Sequence, residues 1–168
     1  MGEDAVKSDF SGQTVIVRAP AIFGAGDQAT KPIFSLMQNG LLPIAGGADW
    51  KTRSVAMVYV ADLVDDLINR ATRGFYDGQT VSPATVGALT MPQFATYGAD
   101  ALKRPVRAFP IPLSILYPVA AVTTLTLRLF SIGHLSLGKL AEFRYERWQS
   151  NDLVSNPKPM AQAIAETF

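Results

Sequence analysis

The sequence has no cysteine and a single histidine, His134. The first absence excludes disulfides, thiolate catalysis, zinc–thiolate sites and iron–sulfur clusters. The second leaves any Ser-His-Asp triad to His134; its nearest hydroxyl is Ser136, and no G-x-S-x-G elbow accompanies it. His134 therefore reads as a turn residue beside Gly133. Charge is scarce too: 17% of the 168 residues are Asp, Glu, Lys or Arg, against roughly 25% in an ordinary globular domain. With a net charge of +1 and no basic cluster longer than Lys103-Arg104, the chain has no field to gather nucleic acid. Apolar residues make up 48% of it. Part of its surface is thus expected to be covered, by a protein partner or by another part of a larger protein. The length fits one domain, or one piece of a larger one.

No targeting signal is visible. Met1 to Lys7 carries acidic residues and no apolar core, and Val6 stands where a myristoylation motif needs Ser or Thr. The cytoplasm is the default compartment. Phe109 to Leu127 lacks charge and has about the length of a bilayer span. Pro110, Pro112 and Pro118 interrupt it, and Ser114 and three threonines add polarity. An amphipathic helix over the substrate-side surface is the expected form, ahead of membrane association.

Gly2 to Phe10 reads as the tail of a helix, stopped by Ser11-Gly12 and starting without a cap. Thr14 to Val17 is a β-branched run suited to a strand buried on both faces of a parallel sheet. Arg18 to Asp27 reads as a loop. Thr30 can cap a helix with Pro32 in its first turn, ending at Asn39-Gly40. Leu41 to Ile44 is a short extended piece. Ser54 to Val60 reads as a strand, and Val60, Leu63, Val64, Leu67, Ile68 and Ala71 then recur at helical spacing. Gln79 to Ser82 is a small strand, Thr90 to Gln93 a capping box opening a helix through Leu102, and Val106 to Ile111 an edge strand. Helices are expected at about 113–130 and 137–145, and from Trp148 onward the periodicity is lost.

Four patterns bear on chemistry. Gly24-Ala25-Gly26-Asp27-Gln28-Ala29 satisfies G-x-G-x-x-A between a strand and a helix. Asp27, however, would put negative charge where a pyrophosphate must sit, so a structural turn is expected. Tyr-x-x-x-Lys, the acid–base pair of short-chain hydride transfer, is absent, because none of the six lysines has Tyr four residues before it. Asp62, Asp65 and Asp66 form the acidic cluster, with Asp65 about 60° off the face that the other two share; it reads as a solvated, capped first turn and not as a metal site. Trp50 to Arg53 is a basic, aromatic loop that could meet an anionic substrate group or be an exposed tip.

The residues Thr14-Val-Ile-Val-Arg-Ala-Pro-Ala-Ile-Phe-Gly-Ala-Gly-Asp27 resemble the late strand and loop of the extended short-chain dehydrogenase/reductases, the NAD-dependent epimerase/dehydratase family. Met57 to Leu63 is similar to that family's Ile-His/Tyr-Val-x-Asp-Leu run, and Leu137 to Phe143 with Trp148 to its late Lys-Val-Arg-Glu-Leu segment. Gly2 to Val6 resembles the stretch that follows the catalytic Lys. The resemblance implies an α/β fold, the C-terminal portion of an extended Rossmann-type architecture with a few late sheet strands and a mostly helical substrate-binding subdomain. Residues 1–30 would be the last helix and strand of the nucleotide-binding core, and 31–168 the substrate-binding region. It implies NAD or NADP as cofactor of the parent protein, met by Ala19, Pro20 and Ile22. Ala21, Phe34, Arg53 and Tyr59 would face a carbonyl, alcohol or sugar substrate. No catalytic residue and no metal site is expected in this chain, which would be inactive alone. The alternative is a non-catalytic binding or assembly module, like the SDR-like accessory subunit of respiratory complex I.

Overall fold

The computed structural model describes residues 2–10, 12–28, 30–73, 78–116, 118 and 147–168. The expected helices at 113–130 and 137–145, His134, the Leu137 to Phe143 segment and most of the Phe109 to Leu127 run lie largely or wholly outside these residues. Among the described residues, no helix is long and apolar enough to cross a membrane.

Helix α1 (Gly2–Asp9) precedes β1 (Val15–Val17), and β1 pairs in parallel with β5 (Gln79–Val81). The partner of β1 thus comes from far beyond residue 30. Strand β2 (Ala21–Phe23) lies inside what reads as one long loop; three residues are too few to show a period, and pairing to β4 makes them a strand. Strand β4 (Ser54–Tyr59), buried along nearly its whole length, is the centre of the main sheet. It pairs antiparallel with β6 (Val86–Thr90) and in parallel with both β2 and β8 (Arg147–Trp148). A third pair joins β3 (Leu41–Ala45) to β7 (Arg107–Ile111) in parallel. Pro110 sits in β7 opposite Ile44, a place open to it because β7 has one strand neighbour among the described residues.

Helix α2 (Lys31–Gln38) follows β2, and α3 (Val60–Arg73) follows β4 directly. Helix α4 (Met91–Leu102) starts on the expected capping box, Thr90 and Gln93 bonding each other's backbone. The 147–168 segment is more regular than its sequence suggests, adding β8 and α5 (Met160–Ala165). Met160, Ala163 and Ile164 of α5 join Phe23, Phe34, Met37, Leu89 and Phe94 in one core. Gly98 lets α4 approach closely, since a Cβ there would lie 2.0 Å from the Met37 methyl. The six residues of α5 are too few to show a helical period; the core they complete decides their conformation.

Candidate functional site

The crossover from β1 to β2 is held from both sides. The Arg18 amide donates to Val81 O at 2.8 Å, and the Ser82 hydroxyl donates to Arg18 O at 2.8 Å. Ala19 and Pro20 then carry the chain to β2, and the Ala19 main chain has no hydrogen-bond partner among the described residues. In β2, Ala21 is level with Met57, Ile22 with Val58 and Phe23 with Tyr59. Alternation turns Phe23 into the core and leaves Ile22 44% exposed. Ala19, Pro20 and Ile22 therefore form one short stretch with a free peptide and an outward apolar side chain.

Phe34 and Tyr59 lie deeper, at 3% and 6% exposure. Both flank Phe23, with ring centroids 6.0 and 5.6 Å from it. The Tyr59 phenol donates to Glu166 Oε2 at 2.7 Å, and the Lys158 ammonium donates to the same oxygen at 2.7 Å. Lys158 also stands 5.1 Å from the Tyr59 ring centroid. The hydrogen bond to Glu166, then burial, hold the Tyr59 pKa above its ordinary value. Lys158 and then Tyr59 lower that of Glu166, and Glu166 raises that of Lys158. Arg53 is apart from this group, its Nε 3.0 Å from Asp49 Oδ2. Burial pushes the Asp49 carboxyl up, but the bonds from Arg53 and the loop backbone outweigh it and lower it. In the same loop, Lys51 lies 5.7 Å from the Trp50 ring centroid.

The acidic cluster corrects the expectation of a solvated turn. Asp62 is 7% exposed and accepts from the Thr85 hydroxyl at 2.6 Å and the Lys158 amide at 3.1 Å. Thr85 in turn accepts from the Tyr59 amide at 2.8 Å. Asp66 accepts from Arg70 at 2.5 Å, and Arg70 also reaches Asp152 at 3.2 Å. Asp62 is committed to partners that arrive from remote sequence, so helical spacing alone could not reveal its burial, whereas Asp66 pairs within the helix and Asp65 stays exposed. Among the described residues, no His, Cys, Asp and Glu group could hold a metal.

The G-x-G-x-x-A pattern does not form a phosphate cradle. Asp27 Oδ2 accepts from the Thr30 amide at 3.2 Å and from the Thr30 hydroxyl, placing a carboxylate at the start of α2. Thr30 makes no side-chain cap of its own, because its hydroxyl is turned to Asp27. A pyrophosphate at this helix end would face that fixed negative charge.

No family model and no curated protein matches the sequence. Solved structures do. An epimerase from the methanogen Methanothermobacter thermautotrophicus superposes at a TM-score of 0.64 with 14% identity, over 99% of this chain and 45% of that one. A human epimerase family protein solved with NADPH gives 0.64 and 18%, over 93% and 48%. A UDP-glucuronic acid 4-epimerase from Bacillus cereus, in complex with UDP-glucuronic acid and NAD, gives 0.59 and 11%, over 97% and 46%. The fold is that of the extended short-chain dehydrogenases/reductases. The chain spans a little under half the length of these structures.

Proposed function

We propose that this chain is the substrate-side part of an NAD(P)-dependent oxidoreductase or epimerase and does not catalyse by itself. The observation that carries this reading is the pinned β1–β2 crossover, with the Ala19 peptide unpaired among the described residues, within a fold whose solved examples are NAD- or NADPH-bound epimerases of about twice the length. A nicotinamide carboxamide needs one donor and one acceptor, and the Ala19 peptide offers both. Pro20 fixes the backbone beside it, and Ile22 supplies an apolar contact for the ring. Ala21 and Arg53 belong to the substrate side, and Phe34 and Tyr59 give β2 its aromatic support by packing on Phe23. The nicotinamide supplies hydride chemistry when bound; these residues orient the ring and exclude water. The acid–base pair, worth about 10²–10⁴-fold in rate, has no counterpart in this sequence.

The resemblance of Thr14 to Asp27 to the family implies an Asn of its sugar-nucleotide epimerases at the position of Ala21, and the small apolar side chain here favours a less polar carbonyl or alcohol substrate over a diphosphate sugar. The stripe Val60, Val64, Leu67 and Ile68, exposed along one face of α3, fits a surface that further protein covers. A cytoplasmic location accords with this reading.

The test begins with the native mass in the source cells, detected with an antibody to the Trp50 loop. A species of about twice 18.1 kDa that oxidises NADH or NADPH, and loses cofactor affinity on Ile22→Glu, supports the proposal. A measurable dehydrogenase rate from the 168-residue chain alone overturns it.

A further inference from the structure

Asparagine turns into aspartate without an enzyme where the next main-chain nitrogen can reach its side chain, and glycine, lacking Cβ, leaves that approach open. The chain has four asparagines, and only Asn39 precedes a glycine. Asn69 and Asn151 are followed by Arg70 and Asp152, and Asn156 by Pro157, which has no N–H to give up. Asn39 is exposed at the end of α2, and Gly40 follows it at φ 78°, the left-handed conformation that stops the helix. The residue that ends α2 is thus also the one that makes Asn39 reactive.

The turn holds both reacting groups back. The Asn39 side-chain amide donates to Ser35 O at 3.0 Å, and the Gly40 amide donates to Met37 O at 2.8 Å. At ψ 7° the Gly40 nitrogen also points away from the Asn39 Cβ, so the peptide between them must rotate before a ring can close. Arg104, just past α4, donates to Gln38 O and ties the same turn from outside. Gly40 O accepts from the Arg107 amide at 2.9 Å, the hydrogen bond that starts β3 along β7.

We propose that Asn39 is a deamidation site of the native protein, gated by opening of the α2–β3 turn. The Gly40 nitrogen attacks the Asn39 side-chain carbonyl carbon; that N–C bond forms, the C–NH₂ bond breaks, and ammonia leaves with the proton of the Gly40 amide. Water then adds to either carbonyl of the cyclic imide, giving aspartate or isoaspartate with no change of oxidation state. Isoaspartate lengthens the main chain by one methylene immediately before Gly40, and so displaces the start of β3 from Arg107. The site uses no residue of the cofactor reading and stands independently of it.

The test is incubation of the full protein carrying this chain in mildly alkaline buffer made with ¹⁸O water, followed by peptide mass spectrometry. Labelled aspartate and isoaspartate are expected at Asn39 and not at Asn69, Asn151 or Asn156, about tenfold more slowly in the folded protein than in urea. Arg104→Ala should speed labelling of the folded protein several-fold and leave the rate in urea unchanged. Hydrogen exchange at the Arg107 amide should be faster in the isolated isoaspartyl form than in the aspartyl form, which carries the same charge without the extra methylene. The proposal is overturned if Asn39 labels as fast folded as in urea, or stays unlabelled in the folded protein long after the urea sample is complete. It is equally overturned if another asparagine labels as fast, if Arg104→Ala changes nothing, or if the two product forms exchange alike at Arg107. The comparison of folded with urea-unfolded protein uses no variant, so it decides the matter even if Arg104→Ala fails to fold.

Discussion

The Tyr59 phenol and the Glu166 carboxylate meet at 2.7 Å across 107 residues of sequence. Tyr59 ends β4, the central strand of the main sheet, and Glu166 follows α5. The bond therefore fastens the last helix to the middle of the fold, with Lys158 closing the group from the other side. Removing the phenol oxygen should loosen that attachment and leave the aromatic packing of the ring in place. Tyr59→Phe is expected to cost about 1 kcal/mol, read as a melting temperature lower by roughly 2–4 °C. Hydrogen exchange should rise in the amides of Gln162 to Thr167 and not in those of α4.

The same group sets a pH window. The Glu166 pKa is lowered in the folded state, so its contribution is present above the unfolded glutamate value of about 4.3 and is lost as pH falls below that. The pKa values of Lys158 and Tyr59 are raised, so theirs is present below about pH 10 and is lost as pH climbs past that value. Urea midpoints measured against pH should fall at both ends, and Glu166→Gln should flatten both limbs. An unchanged profile in that variant would remove this group as their cause.

Arg70 joins α3 to the segment after β8, with Asp66 one helical turn before it and Asp152 beyond β8. Burial disfavours the charge on Arg70, but the two carboxylates outweigh it and raise its pKa. Arg70→Ala leaves Asp66, whose side chain is only 10% exposed, without its cation. The expected loss is about 3 kcal/mol, larger than that of Tyr59→Phe. Denaturant unfolding of the two variants side by side checks the order.

Lys103 ends α4 in the left-handed conformation, at φ 53°. A side chain there costs roughly 1 kcal/mol relative to glycine. Lys103→Gly should therefore stabilise the protein by up to about that amount, seen as a higher melting temperature without a change in cofactor or ligand binding.

Much of the secondary structure can be read from local pattern. The β-branched run of β1, the helical spacing of α3 and the Thr90/Gln93 box each carry their signal within a few neighbours. What sequence does not disclose depends on partners far away. Strand β2 exists because Ala21 to Phe23 lies beside Met57 to Tyr59. Asp62 is buried because Thr85 and Lys158 come to it, and α5 forms because Ala163 and Ile164 complete a core begun at Phe23. The aromatic character of Phe34 and Tyr59 is plain in the sequence, but their depth in the aromatic cluster is not.

Gly87 shows how close one of these distant meetings is. A Cβ on it would lie 2.1 Å from the Ser150 carbonyl, and the Ser150 amide donates to Gly87 O at 2.9 Å. Gly87→Ala should displace the segment after β8 at a cost of about 1–3 kcal/mol. Exchange at the Ser150 and Val154 amides reports the displacement.

The parallel pairings also govern when the chain can fold during its own synthesis. Val15 must wait for Gln79, and Leu41 for Arg107, before either strand finds its neighbour. At roughly 5–20 residues per second, each early strand spends several seconds outside the ribosome with its hydrogen-bonding edges uncovered. During that interval a second nascent strand can compete for them. The yield of native protein should therefore depend on translation speed and on chaperones that shield the region between Thr14 and Ala45.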